Sequence, residues 1–262
     1  MISSSANAHV KHIRSLAADR RERRRERLFM LEGVRLISDA LDSIHRLELV
    51  LYAPEQLASS SAGQELLTRL EQLPTAFAAT PQVVAAAADT IHPQGVVALA
   101  AWPSIPPTRP GLLLVIDAVQ DPGNLGTLLR SAEAVGVAQV LCSTGTVDVY
   151  SPKVVRAAMS AHFRLAIEQD LDWAMLGEQM NSVEHVYATD AEASMPYYAA
   201  DWRQPAALIL GSEAHGLSAQ AYAYTTQSLS IPMRGGIESL NVGVAGSVIL
   251  FEALRQRTRG RT

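Results

Sequence analysis

The chain is short of several things, and each shortage excludes a class of protein. It holds one cysteine, Cys142, in 262 residues, so no internal disulfide can form. Its histidines are scattered, so no cluster stands at zinc spacing and no metal is expected. Its apolar stretches are short or broken by charge and glycine, too short for a bilayer-spanning helix. The N-terminus lacks the positive-then-apolar order of a secretory signal, and the expected setting is the cytoplasm. No G-x-G-x-x-G and no G-x-x-x-x-G-K-[ST] occurs, which speaks against a dinucleotide fold or a P-loop. With 22 Lys and Arg against 26 Asp and Glu the net charge is −4, so overall charge alone does not grip nucleic acid.

What is present is a globular composition. The residues are 48% hydrophobic, enough for a large core in one large or two ordinary domains. Charge is unevenly placed: "KHIRSLAADRRERRRER", residues 11 to 27, holds eight Lys or Arg against three acids. On a helix this run is either a basic face that neutralises phosphates or a solvated surface laced with Arg/Glu pairs.

The first hundred residues alternate short apolar strands ("LELVLYA", "TAFAAT", "GVVALAA") with helical stretches ("GVRLISDALDS", "SAGQELLTRLEQL", "PQVVAAAADT"), which predicts a small α/β domain over 1–103. "WPSIPPTRPG" carries four prolines and reads as the linker. In 104–262 the strands "GLLLVIDAV", "AQVLCST", "EHVYATD", "AALILG" and "QSLSIPM" are separated by helical segments near 125–135, 152–160, 171–181 and 239–257. Alternation of this kind predicts a mainly parallel sheet covered on both faces, with ligands at the carboxyl ends of its strands.

Three stretches at those strand ends carry polar and glycine residues that a packed core does not need. "DPGNLGTLLR" (121–130) reads as a glycine-bearing turn entering a helix; Asn124 offers a side-chain amide and Arg130 a guanidinium able to clamp a phosphate or to form a surface ion pair. "LILGSEAHGLS" (208–218) is a buried strand ending in Gly211, followed by Ser212 and Glu213. Glycine there admits close approach of a backbone or ligand, and Glu213 suits either a first helical turn or a functional loop. "IPMRGGIESLNVGVAGSV" (231–248) is a glycine loop followed by Ser239, Leu240 and Asn241 and a helix rich in small residues, whose cost in helix stability asks for a packing reason.

Taken in order, these stretches resemble the three motifs of the SpoU (TrmH-like) branch of the SPOUT RNA methyltransferases, D-P-x-N-x-G-x-x-x-R, G-x-E-x-x-G-L and I-P-M-x-G-x-x-x-S-L-N-V. The likeness covers about 112–255 and includes "YSPKVVRAAMSAHF" (150–163), where Ala158 and Ser160 depart from the hydroxyl and glycine residues often found there. The segment 7–41 is similar to an L30e-like substrate-binding domain. The resemblance implies an α/β catalytic domain tied in a deep trefoil knot, an exception to the rule against knotted chains. It implies S-adenosylmethionine as cofactor, held at Gly211, Ile231 and Leu240. It implies methyl transfer to a ribose 2′-hydroxyl of 23S ribosomal RNA, with transfer RNA as the alternative target, by a homodimer packed through the knotted domain. Asn124, Arg130, Glu213, Ser239 and Asn241 are the catalytic-site residues it implies.

Two readings from other classes compete. A non-catalytic RNA-binding module has no use for Asn124, Arg130, Glu213, Ser239 and Asn241 together. A small-molecule enzyme on a nucleotide-binding fold leaves the arginine run unexplained.

Overall fold

The computed structural model describes residues 1–43, 46–108, 110–212, 216–235 and 239–259. In chain order the elements are α1 (Ala8–Ala18), α2 (Arg20–Glu26), β1 (Leu28–Glu32), α3 (Val34–Asp42), β2 (Leu47–Tyr52), α4 (Pro54–Leu57), α5 (Ser61–Leu70), β3 (Ala76–Ala78), α6 (Pro81–Ala87), β4 (Val96–Ala101), β5 (Leu112–Ile116), α7 (Pro122–Val135), β6 (Gln139–Ser143), α8 (Pro152–Ala158), β7 (Ile167–Leu171), α9 (Trp173–Met180), β8 (His185–Thr189), β9 (Ala206–Leu210), α10 (Ala219–Tyr224), β10 (Gln227–Leu229) and α11 (Val242–Arg259). The chain divides into two compact units, Met1–Pro103 with Tyr150–Phe163, and Ser104–Val149 with Arg164–Thr262. The stretch 150–163, which sequence likeness groups with the second half, packs within the first unit. Among the described residues no helix is long and apolar enough to cross a membrane.

The first unit is a four-stranded sheet in the order β1-β4-β2-β3, with β4 antiparallel to both neighbours and β3 parallel to β2. Val10, Ile13 and Leu16 recur at helical spacing along α1 and close over Leu49, Leu51, Val97 and Leu99 beside Val83 and Val84 of α6. Full burial of each such side chain contributes about 1.5–3 kcal/mol.

The basic run is not one helix. Asp19 adopts an extended backbone that ends α1, and its carboxylate accepts the Arg21 N–H at 2.7 Å to start α2. Arg23 is buried, and its guanidinium donates to the last-turn carbonyls of α1, Leu16 O at 2.6 Å and Ala17 O at 2.9 Å. One arginine of the run is therefore a helix cap. The strand β1 ("LFMLE"), directly after the run, is not foreshadowed by the charge pattern that precedes it.

The second unit is a six-stranded sheet in the order β10-β8-β9-β5-β6-β7, every neighbour parallel. Strands β5, β6 and β9 are buried along their whole length, as a sheet covered on both faces requires. Leu113, Val115, Leu141 and Ile209 pack with Leu176 and Met180 of α9 and Ala221 of α10. On the opposite face α11 lies against α7, with a 2.7 Å hydrogen bond between the Ser131 and Ser247 hydroxyls. Cys142, on β6, is fully buried; burial, then the charge of Asp170, pushes its thiol up to about 12, so it is no nucleophile near neutrality.

One local expectation changes. Helix α7 starts at Pro122, not near 125: Asp121 caps it, accepting the Asn124 N–H at 2.8 Å, and Pro122 takes a first-turn position where a missing N–H costs nothing. Gly123 and Asn124 are its first turn and do not form a turn ahead of it.

Candidate active site

Parallel strands end their carboxyl termini on one side of a sheet, and in the second unit a cleft of about 470 Å³ opens there, beyond β8, β9 and β10. Its wall includes Asp190, Gly211, Ile231, Ser239, Leu240 and Asn241. Five residues singled out from the sequence, Gly211, Ile231, Ser239, Leu240 and Asn241, therefore meet at one cavity although they come from two motifs.

Gly211 shows why the wall needs a residue without a side chain. A Cβ there would lie 2.4 Å from the carbonyl carbon and oxygen of Gly216 and 2.6 Å from the Leu217 nitrogen. Those are backbone atoms and cannot rotate away. Ser212 and Gly216 exchange both backbone hydrogen bonds at 2.9 Å, and Gly216 sits at φ +64, a left-handed conformation natural to glycine.

Asn241 caps α11, its Oδ1 accepting the Val244 N–H at 3.2 Å. That leaves its amide NH₂ for a second task, and Nδ2 donates to Asn124 Oδ1 at 2.8 Å. The first motif is thereby fastened to the rim of the cleft. Arg130 lies further along α7, exposed, and among the described residues its guanidinium has no hydrogen-bond or ion-pair partner. It does not line the cleft. Glu213 falls outside the described residues.

Asp117 is a residue that sequence reasoning alone misses. It follows β5 directly and is buried, with Oδ2 accepting the Ser218 N–H at 2.7 Å and Oδ1 accepting from the Ser143 hydroxyl at 3.4 Å. One carboxylate so holds the second motif's loop against the end of β5. The available signal was an acid placed immediately after a five-residue apolar run, where a charge is buried only with partners. Among the described residues no group of three His, Cys, Asp or Glu side chains could hold a metal ion.

The arrangement suits a small organic ligand more than an ion. Its volume lies within the usual range for such sites, about 300–1,000 Å³, and apolar Leu217, Leu229, Ile231 and Val242 stand beside backbone polar groups and the Asp190 carboxylate. The SpoU rRNA Methylase family model matches residues 111–251. The chain belongs to the SpoU rRNA methylase family.

Within this family the likeness runs the length of the chain. The MRM3-like substrate binding domain matches residues 7–98. The chain is 30% identical to the 23S rRNA (guanosine(2553)-2′-O)-methyltransferase of Bacillus subtilis, over 95% of this chain and 97% of that protein. It is 31% identical to the 23S rRNA (uridine(2479)-2′-O)-methyltransferase of Streptomyces viridochromogenes, over 99% and 93%. The crystal structure of the SpoU methyltransferase AviRb from Streptomyces viridochromogenes, in complex with the cofactor AdoMet, superposes with a TM-score of 0.86 at 28% identity, covering 96% of this chain and 98% of that one.

Proposed function

We propose that this protein transfers a methyl group from S-adenosylmethionine to a ribose 2′-hydroxyl of 23S ribosomal RNA. The observation that carries the reading is the meeting of Gly211, Ile231, Leu240 and Asn241 at one strand-end cleft, with Asn124 hydrogen-bonded to its rim, in a chain of the SpoU family.

Gly211, Ile231 and Leu240 would hold the cofactor, with Gly211 packed directly against the Gly216–Leu217 backbone. When bound, S-adenosylmethionine supplies a methyl group on a sulfonium, an electrophile that needs no metal. The ribose oxygen would gain the methyl carbon as the carbon–sulfur bond breaks, the sulfur would leave as a neutral thioether, and the hydroxyl proton would pass to water. In-line displacement of this kind depends on alignment, which a pre-built cleft provides. Arg130 is suited to hold a backbone phosphate of the target nucleotide and to stabilise charge growing on the ribose oxygen. Its guanidinium carries N–H donors and no acceptor, so the departing proton goes to another group. Ser239 and Asn241 orient the reactants by hydrogen bonding.

A homodimer through the second unit belongs to the same reading. Val244 and Phe251 of α11 and the nearby Tyr198 each keep about half of their surface exposed, at 49%, 50% and 54%, an apolar surface that a second copy would cover.

The test is tritium transfer from labelled S-adenosylmethionine to total ribosomal and transfer RNA in separate reactions, followed by alkaline hydrolysis. Label in an alkali-resistant dinucleotide of 23S RNA is expected. Label in transfer RNA alone, or in neither pool, overturns the assignment.

A further inference from the structure

The first unit has a cleft of its own, unconnected with any of the three motifs. Strands β1, β2 and β3 begin, and β4 ends, along one edge of the four-stranded sheet, and α1 passes beside that edge. The resulting cleft is about 660 Å³. Two flat ring systems are fixed in its wall. The His9 ring stacks on Phe77 with centroids 4.8 Å apart and planes 20° from parallel, and Phe77, a strand residue, remains 37% exposed. Trp102 is pinned by stacking on Tyr150 at 4.2 Å and by donating from its indole N–H to Leu28 O at 3.3 Å.

Cationic and accepting groups complete the wall. The Arg27 guanidinium carbon lies 5.3 Å from the Trp102 ring centroid. Arg27 is a non-glycine residue at φ 54 and ψ 39, a left-handed conformation that costs free energy and persists where the surroundings impose it. It follows directly on α2, whose Arg21, Arg24 and Arg25 are exposed. The Glu26 carboxylate, paired at 2.6 Å with His12 Nε2, and Glu48, paired at 3.0 Å with Arg46, stand as hydrogen-bond acceptors.

An exposed ring stacked on a second, a guanidinium over an indole, acceptors at the edge and an adjoining cationic helix are the elements that recognise an unstacked base and its phosphate. Duplex RNA hides the faces of its bases and has no use for them. We propose that this cleft binds one unpaired nucleobase of the RNA substrate, stacked on the Phe77–His9 platform with its phosphate on Arg27. The proposal deepens the RNA-methylation reading and rests on it for the class of ligand. An unpaired base anchored here selects a target by local RNA structure, independently of the residues that carry out methyl transfer.

Fluorescence anisotropy with short fluorescein-labelled homopolymers of A, U and C, and with a labelled RNA duplex, tests it on the full chain. Wild type is expected to prefer single strands. Phe77→Ala should lose about tenfold in single-strand affinity, the scale of one base–aromatic stack, with duplex binding unchanged, and Phe77→Trp should restore the affinity. Melting curves check folding. His9→Ala is the second probe: it removes a ring at the mouth of the cleft but keeps the backbone N–H that bonds Asn7, and it should show the same selective loss. Single-strand affinity unchanged in both variants, equal loss for single strand and duplex, or no single-strand preference in wild type would each overturn the proposal. Tritium transfer separates the two readings. Wild type that methylates 23S RNA with no effect of Phe77→Ala on binding refutes the cleft alone, whereas Phe77-dependent binding by a protein that methylates no RNA refutes the activity alone.

Discussion

Asn241 donates its amide to Asn124 across 117 residues of chain, at 2.8 Å, while its own carbonyl oxygen caps the helix that it opens. The two functions use different atoms and can be separated. Asn241→Asp keeps an oxygen acceptor for the Val244 N–H and places a carboxylate at a helix N-terminus, where it is favoured, but it replaces the donor facing Asn124 with an oxygen. Its melting temperature should stay at or above the wild-type value while initial methylation rates fall. Asn241→Ala should lose both, with a stability cost of about 1 kcal/mol typical of a cap. Melts and initial rates on the two variants check this; equal rates for Asn241→Asp and wild type would show that the cross-helix bond is incidental to activity.

Arg130 is exposed and lies off the strand-end cleft. Arg130→Ala should lower turnover by about 10²-fold or more, the scale of losing one charge-stabilising donor, with cofactor affinity unaltered. Arg130→Lys should fall between, since it keeps the charge and loses the planar fork. Isothermal titration with S-adenosylmethionine, run beside the tritium assay, measures both quantities. Cofactor binding lost together with activity would contradict this division of labour.

The arginines of the basic run divide by burial. Arg23→Gln strips two backbone carbonyls of a buried cationic donor, so it should destabilise by about 1–3 kcal/mol and leave the salt dependence of RNA binding alone. Replacing exposed Arg21, Arg24 and Arg25 with glutamine should do the reverse: an almost unchanged melt, and a salt slope smaller by roughly 0.7 to 0.9 for each phosphate no longer neutralised. Filter binding over a salt series with parallel melts decides. A stable Arg23→Gln with a flattened slope would assign that arginine to RNA.

Gly246 is buried, and a Cβ on it would approach Leu128 Cδ2 to 2.4 Å and Leu210 Cδ1 to 2.5 Å, both side chains being fully buried. Gly246→Leu should therefore destabilise by about 1–3 kcal/mol through overpacking, against the gain of up to about 1 kcal/mol that replacing a helical glycine otherwise brings. Thermal melts with and without S-adenosylmethionine give the sign. A higher melting temperature with full cofactor response would mean that the seam between α7 and α11 can open.

The parallel sheet and the strand-end location of the site were legible because β5, β6 and β9 are short apolar runs, the pattern of strands covered on both faces, with glycines and polar residues at their ends. Gly211, Ile231, Leu240 and Asn241 could be picked out by motif, and the cleft brings them together. Other features left no such trace. Strand β7, "IEQDL", is a mostly polar edge strand without a hydrophobic run, and β1 directly follows a strongly helical charged segment that masks it. Arg23 reads like its neighbours, because burial of one arginine among several depends on where α1 ends. Asp117 was visible as an acid after an apolar run, but its partners, Ser218 and Ser143, lie 101 and 26 residues away, so its task follows only from the assembled sheet.

The small residues of α11 also act as a gauge. Gly246 lies against Leu128, and Gly243 would bring a Cβ to 3.3 Å from Thr127, so the separation of the two helix axes is fixed at buried positions that touch no reactant. The Asn124–Asn241 bond lies at the end of the same pair of helices, and a hydrogen bond weakens over a few tenths of an ångström. A methyl group added deep in the seam would thus be felt as a change of reach at the rim of the cleft, which couples the geometry of that rim to positions far from it.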